Sequence, residues 1–327
     1  MFVREKVIKA ILDSGENFMS GEQLSKKLGI SRTAVWKHIN ALREEGYNIE
    51  SVNKKGYRLA EKPDDILSSE NIAYNLPTEF IGKKVIHLDT VGSTNDYAKE
   101  IGNKVSGGTL IISEQQTKGK GRLGRVWKSK SGDGIWMSLI IKPKIEPYKA
   151  PFLTLVAGAS VVNALSNLGV EASIKWPNDI IVHNKKICGI LTELSAEMER
   201  VNYVVIGIGI NIKTIDFPDE IKEKATSLYK EGYKLSRVDI VRQFCIEFEK
   251  LYKGYILDGN KQDTLELCRK YSAIIGKQVY VIKNNKRELV KCIDINENGN
   301  LIVKEKNGEI QEIMSGEVSI RGVKGYV

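Results

Sequence analysis

The run Gly119-Lys120-Gly121-Arg122-Leu123-Gly124-Arg125 sets three glycines at fixed spacing among three cations. Glycine lets backbone approach a ligand closely, and arginine presents a planar fork of donors that matches phosphate or carboxylate oxygens. The run satisfies G-x-G-x-x-G, but a dinucleotide fold needs a helix straight after its glycines to hold the pyrophosphate. Here Val126-Trp127-Lys128-Ser129-Lys130, a Ser131-Gly132-Asp133-Gly134 turn and an apolar strand at 135–141 follow instead. The arrangement is strand, loop, strand, and the loop brings its own cations to an anion. The bland alternative is a flexible basic hairpin.

Three further groups could share that chemistry. In Lys175-Trp176-Pro177-Asn178-Asp179 the proline stops a strand at 170–175, and the Asn-Asp pair emerges at its end. Asn178 and Asp179 are turn formers, and they are also oxygen ligands suited to Mg²⁺ or ribose hydroxyls. Ser93 stands three residues before Asp96 and caps a helix through Ile101, which puts hydroxyls and an amide where a small polar ligand could be held. A plain cap is the simpler reading of that motif alone. Gly207-Ile208-Gly209-Ile210-Asn211 thins a strand at 204–212, as close approach of a flat ligand would require.

The elements that position these groups read as strands with hairpins and few helices: 85–88, 109–113, 135–141, 170–175, 180–183, 186–194 and 204–212, with helices at 66–76, 94–101 and 151–168. That is a mixed, mainly antiparallel sheet and not a doubly wound one. Ahead of it lies a different grammar. A helix at 5–13 is followed by one from Ser20, capped against Gln23, through Leu28; Gly29 turns the chain, and Ser31 caps a helix at 32–45. Strands at 47–52 and 56–59 around Asn53-Lys54-Lys55 complete a winged helix-turn-helix. Candidate nucleic-acid contacts are Ser31, Arg32, Thr33, Trp36 and Lys37 on the helix, and Lys54, Lys55 and Arg58 on the wing. Residues 1–62 carry 12 basic and 8 acidic side chains, a net of +4, which alone decides nothing. A wing used for protein contacts is the alternative, and Trp36 could instead be core.

The polar, proline-containing stretch 61–65 reads as a linker, giving units at 1–62, 66–272 and 273–327. The last carries short strands at 276–281, 288–294, 301–304 and 309–314, joined to the sheet domain by helices at 236–253 and 262–271. A net charge of +9 suits a polyanionic partner. Four scattered cysteines and three histidines argue against zinc, a disulfide frame or a Ser-His-Asp triad, and for reduced thiols in a cytoplasm. No stretch reaches the ~20 apolar residues of a membrane span, and the first ten residues do not read as a signal peptide.

Taken in order, a winged helix, S-T-N at 93–95, Q-x-x-G-K-G-R-x-G-R at 116–125, K-W-P-N-D at 175–179, K-I-x-G-I-L-x-E at 186–193 and G-I-G-I-N at 207–211 resemble the bifunctional biotin–protein ligases that also repress biotin operons. The resemblance spans most of the chain. It implies an α+β multidomain fold: the winged helix, a central domain related to class II aminoacyl-tRNA synthetases, and a C-terminal SH3-like barrel. It implies two steps, in which ATP activates biotin to biotinyl-5′-adenylate and a lysine of a biotin carrier protein then takes the acyl group. By the same resemblance Ser93, Thr94, Asn95, Gln116, Gly119, Lys120, Gly121, Arg122, Lys186 and Gly189 would contact biotin. Arg125, Trp127, Asn178 and Asn211 would serve the nucleotide, with Trp127 a platform or merely a wall. Lys186, Arg122 and Asp179 would be catalytic, and Asp179 would hold Mg²⁺ or meet the acceptor amine. The blander readings are that Lys175 only pairs with a carboxylate and that Trp176-Pro177 is scaffold. Biotinyl-adenylate would be the corepressor, ordering the loop, favouring a homodimer and placing two wings on operator DNA. Lys120 stands for a frequent arginine, Leu123 for another, and Cys188 for a small residue. Lipoate or octanoate ligases, a biotin-sensing regulator without ligase activity, and a ligase that no longer binds DNA are the rival readings.

Overall fold

The computed structural model describes residues 3–60, 65–283, 286–315, 319–323 and 326–327. The chain divides into two compact units, Met1–Leu76 with Ser236–Val238, and Pro77–Leu235 with Asp239–Val327. Residues 61–64 of the expected linker, including the boundary at 62, lie outside the described residues.

The first unit contains α1 (Val3–Asp13), α2 (Gly21–Leu28), α3 (Arg32–Glu44), the hairpin β1 (Ile49–Val52) and β2 (Gly56–Leu59), and α4 (Ser69–Ala73). Its caps follow the sequence. Ser20 Oγ accepts from Gln23 N, and Gln23 Oε1 accepts from Ser20 N at 2.7 Å. Gly29 closes α2 in the left-handed region, and Ser31 Oγ accepts from Ala34 N to start α3. Val7, Ile11, Leu24, Val35, Ile39 and Leu42 form the shared core. Met19 and Tyr57 exchange two 2.9 Å backbone bonds that tie the wing to the α1–α2 connection. That approach requires Gly56: at φ 110°, an added Cβ would lie 2.3 Å from the Met19 carbonyl oxygen. The helix expected at 66–76 is shorter. Ser68 caps it at Asn71 N, and Asn75, at positive φ ahead of Pro77, cannot continue it.

The second unit is built on β3 (Val85–Val91), α5 (Thr94–Ile101), β4 (Thr109–Gln116), β5 (Gly134–Ile141), α6 (Phe152–Asn167), β6 (Ser173–Lys175), β7 (Asp179–Val182), β8 (Lys185–Ala196) and β9 (Val201–Asn211). The seven strands run in the order β3-β4-β5-β9-β8-β7-β6, with β3 and β4 parallel and the other neighbours antiparallel. This is the mixed sheet that the sequence predicts. Helix α5 packs on β4, β5 and β9, whereas α6 packs on β6, β7 and β8. Strand β6 starts later than expected because Val170 N bonds back to Leu165 O and closes the end of α6. Among the described residues one helical stretch, Pro147–Asn167, is long and apolar enough to cross a membrane, and most of it is buried within the fold.

Helices α7 (Arg237–Leu257) and α8 (Gln262–Lys270) lead to β10 (Gln278–Lys283), β11 (Lys286–Ile295), β12 (Leu301–Lys304), β13 (Ile310–Ile313) and β14 (Ser319–Gly322). These form an antiparallel sheet in the order β13-β12-β11-β10-β14, packed on Val279, Val290, Cys292, Leu301 and Val303. The sequence predicts four of these strands. The fifth, β14, is too short and irregular to announce itself. The whole is the expected α+β multidomain class, with an SH3-like C-terminal sheet. All four cysteines are buried and free.

Candidate functional site

Residues of β4, β5, β8 and β9, with the Ser93-Thr94-Asn95 cap, line a first chamber. Its polar end grows from the Ser93 cap. The Thr94 N–H and hydroxyl both donate to Gln116 Oε1, at 2.8 and 3.1 Å, and Gln116 Nε2 donates to Ser129 Oγ at 2.9 Å. Ser138, fully buried in the middle of β5, bonds both Thr94 Oγ1 and Asn95 Oδ1. Asn95 Nδ2 donates to Glu193 Oε2 at 2.8 Å, so its orientation is fixed from both ends. Asn95 also packs closely on β9: a Cβ on Gly207 would fall 2.2 Å from Asn95 Oδ1. A urea-like ring needs donors and acceptors held still at one end of an apolar slot, and this network holds them.

The glycine-arginine run folds back over the chamber as a small hairpin. Trp127 N donates to Gly119 O at 2.9 Å, and Gly121 N donates to Arg125 O at 2.7 Å. Leu123 takes φ 58° at the tip, a left-handed turn made by a non-glycine residue, and is 76% exposed. The Trp127 ring is laid on two glycines, since a Cβ at Gly209 would come within 2.6 Å of it and one at Gly189 within 2.9 Å. The alternating glycines of β9 thus admit an aromatic ring. Lys186 Nζ stands 5.2 Å from the Trp127 ring centroid.

A second chamber of about 1160 Å³ adjoins the first, and Arg122, Trp127, Asn178 and Lys186 line both. Arg122 Nη1 donates to Asn178 Oδ1 at 2.8 Å, and Asn178 Nδ2 donates to Ile190 O. Lys186 Nζ lies 2.5 Å from Asp179 Oδ1, and the Tyr326 hydroxyl donates to Asp179 Oδ2. Burial alone would raise the Asp179 carboxyl, but Lys186 and the Tyr326 hydroxyl outweigh it and hold the group below the ordinary carboxylate range. Tyr326 is pushed up by its burial and by the Asp179 charge beside it. Lys175 departs from the expected carboxylate pairing: it is 2% exposed, its Nζ has no hydrogen-bond partner, and burial brings its amine down to about 7. Trp176 is scaffold, buried and donating to Gly299 O at 3.0 Å. Among the described residues that line this chamber Asp179 is the one carboxylate, facing Arg122, Arg125, Lys175, Lys186, Lys224 and Arg321.

Most of the sequence-predicted site residues therefore converge. Ser93, Thr94, Asn95, Gln116, Lys120, Gly121 and Gly189 line the first chamber, and Arg125 and Asp179 the second. Lys120 forms an ion pair with Asp96 at 2.7 Å. Gly119 and Asn211 line neither chamber. Gly119 serves the hairpin backbone, and Asn211 Nδ2 is bonded to Thr226 O at 3.1 Å. Sequence reasoning missed Ser129, Ser138 and Tyr326. For Ser138 a signal existed, a lone hydroxyl inside the run Ile135-Trp136-Met137-Ser138-Leu139-Ile140-Ile141.

In the first unit Thr33, Trp36, Lys37, Lys54 and Lys55 are exposed, with Trp36 at 54%. Trp36 is therefore not a core residue. Ser31 spends its hydroxyl on the cap. Arg32 is paired with Glu22 at 2.8 Å, and Arg58 with Glu50 at 2.7 Å while its guanidinium covers Phe18.

A polar-ended slot opening onto a cationic chamber, in a chain that also carries a winged helix, fits an acyl-activating ligase with a helix-turn-helix module. The comparisons resolve the family. Residues 88–211 match the biotin/lipoate A/B protein ligase family, 3–58 an HTH domain, and 274–321 the biotin protein ligase C-terminal domain. The "Bifunctional ligase/repressor BirA" of Bacillus spizizenii is 42% identical over 97% of this chain and 98% of its own, and that of Escherichia coli is 32% identical over 96% of each. The chain belongs to the bifunctional biotin ligase/repressor family. Among solved structures, a biotin protein ligase from Aquifex aeolicus in complex with biotin and ATP covers 73% of this chain and 99% of its own, with 32% identity and a TM-score of 0.64.

Proposed function

We propose that the chain activates biotin with ATP to biotinyl-5′-adenylate, passes the biotinyl group to one lysine of a biotin carrier protein, and represses biotin synthesis or uptake genes when loaded with the adenylate. The observation that carries this reading is the junction: Lys186 and Arg122 face both chambers. A carboxylate reaching out of the first slot meets the α-phosphate of a nucleotide in the second at those two cations. Bringing two anions together is the barrier, so cations and fixed donors matter more than a side-chain nucleophile.

In the first step a biotin carboxylate oxygen bonds the α-phosphorus, the bond to the β-phosphate oxygen breaks, and pyrophosphate leaves with the electron pair. Lys186 and Arg122 neutralise the charge at the junction, while Thr94 and Gln116 hold the ring end. Arg125, Trp127 and Asn178 serve the nucleotide, and Lys120 and Gly121 close the loop over the product. Mg²⁺ would arrive on the phosphate oxygens and shield their charge. Asp179 is the carboxylate that would meet it, on giving up Lys186 or the Tyr326 hydroxyl, and a single carboxylate fits a cation that keeps most of its own shell. No group of three or more His, Cys, Asp or Glu among the described residues offers a dedicated cage. In the second step the acceptor amine attacks the acyl carbon beside Asp179, and AMP leaves.

The same reading divides the chain into modules at 1–62, 66–272 and 273–327 and locates it in the cytoplasm. Ordering of the 119–125 loop over the adenylate favours a homodimer, which sets two α3 helices on a two-fold operator with Lys37, Lys54 and Lys55 as exposed cations. The test of the catalytic part is exchange of labelled pyrophosphate into ATP with biotin, lipoate and octanoate in parallel. Exchange with biotin alone is expected. Exchange with another acid would move the chain to a sister activity, and none at all would leave a biotin-sensing regulator. The regulatory part fails if operator affinity is the same with and without biotin plus ATP.

A further inference from the structure

Tyr326 lines the second chamber. Tyr326 is 8% exposed although it is the penultimate residue. Its hydroxyl takes Asp179 Oδ2, and Lys186 takes the other oxygen. Its ring lies under the Lys175 ammonium, 3.3 Å from nitrogen to centroid. Both oxygens of the one carboxylate lining this chamber are thus engaged, one of them by the tail. The tail is seated by a close approach further back: a Cβ on Gly322 would lie 2.4 Å from the carbonyl carbon of Val327. Only glycine there leaves room for the last residue against β14.

We infer that Tyr326 is a specificity-determining stopper, whose phenol holds the place on Asp179 that the acceptor amine must take. This rests on the functional reading above. In the transfer step the lysine arrives as an ammonium and gives one proton to solvent; the neutral amine nitrogen then bonds the acyl carbon, the C–O bond to AMP breaks, AMP keeps the electron pair, and the second nitrogen proton goes to solvent. With the phenol and Lys186 in place, Asp179 has no oxygen to offer a small neutral nucleophile. An ammonium is a stronger partner for a carboxylate than a phenol is, because its hydrogen bond is charge-assisted at both ends. A carrier lysine can therefore displace Tyr326 where water does not, and the adenylate is kept for its proper acceptor.

The experiment loads the full chain with biotin and ATP, removes free ligand, and times trapping of the adenylate by hydroxylamine. Tyr326→Phe and deletion of Tyr326 with Val327 remove the hydroxyl, and Gly322→Ala unseats the tail from outside the chamber. A hydrogen bond to a charged group is worth about tenfold or more in an equilibrium, so the ratio of trapping rate to pyrophosphate-exchange rate is expected to rise about tenfold in each variant. For Gly322→Ala, exchange itself is expected to stay within about twofold. An unchanged or lower ratio in chains that still exchange overturns the inference. Absence of exchange in the unsubstituted chain overturns the functional reading, and this one falls with it.

Discussion

Replacing Lys175 with methionine is expected to stabilise the second unit, by an amount that depends on pH. Lys175 is almost wholly buried, and its Nζ makes no hydrogen bond to the protein. Burial outweighs the attraction of Asp179 and brings its amine from the ordinary 10.5 to about 7. A displacement of that size, at about 1.4 kcal/mol per tenfold change in proton affinity, sets an upper bound of roughly 5 kcal/mol on the cost of the charged form. Local relaxation and water entry reduce such costs, so a gain of about 2–3 kcal/mol for Lys175→Met at pH 7 is the working figure. The sign follows from proton counting. Between pH 7 and 10.5 the unfolded chain binds a proton that the folded chain does not, so the native protein gains stability as pH rises through that window. The methionine protein lacks this gain, and the difference between the two shrinks by up to about 1.4 kcal/mol per pH unit. Urea unfolding at pH 7, 8 and 9 reads it through Trp127, Trp136 and Trp176, with Trp36→Phe silencing the first unit. A difference independent of pH, or a less stable methionine protein, would refute the reasoning and mean that Lys175 is solvated or paired.

Gly209→Ala puts a methyl group 2.6 Å from the Trp127 ring. Overpacking of this kind costs about 1–3 kcal/mol if the ring stays in place; the ring is expected to move off β9 instead, so that the unfolding midpoint changes little while biotin-dependent exchange needs about tenfold more substrate. Unaltered KM values would show that the ring can shift without consequence. Glu249 caps the backbone N–H groups of Glu79, Phe80 and Ile81 at 2.6, 2.9 and 2.9 Å. Burial would raise its carboxyl, but these three bonds together bring it below the ordinary 4.5. Its stabilisation is therefore complete above that value and is lost as pH falls through the lower folded one. Glu249→Gln is expected to cost about 2–3 kcal/mol at pH 7 and progressively less in acid. Equal losses at pH 7 and pH 3 in urea titrations would contradict that account.

What could be read from the sequence was local or repeated in a short span. The Ser20–Gln23 box, the Ser31 cap, the Gly29 turn and the apolar runs of β4, β5 and β9 are each set by residues within one element, and each forms as read. The chemistry-bearing clusters were legible for the same reason: each sits at the end of one strand, and the sheet order brings those ends together. What depended on distant partners was not legible. Nothing near Arg58 announces that Glu50 and Phe18 hold it, and nothing in Lys175-Trp176-Pro177 says that the lysine will lack a carboxylate. Tyr326 meets Asp179 across 147 residues, in a tail with no periodicity to mark it.

Among the described residues the second chamber faces six cations toward one carboxylate, and this imbalance bears on both stability and ligand binding. Burial and the repulsion among these cations are relieved at the depressed Lys175 amine, by leaving the lysine largely neutral above pH 7. A triphosphate reverses the balance, since each phosphate oxygen nearby favours the ammonium. Nucleotide binding at pH 8 is therefore expected to draw close to one proton onto Lys175, and calorimetry in buffers of different ionisation enthalpy measures it directly. The Lys175→Met protein separates this proton from one taken up by the nucleotide itself. If both proteins take up the same number, the amine is already charged in the free chamber, and its burial must be satisfied by a partner that water supplies.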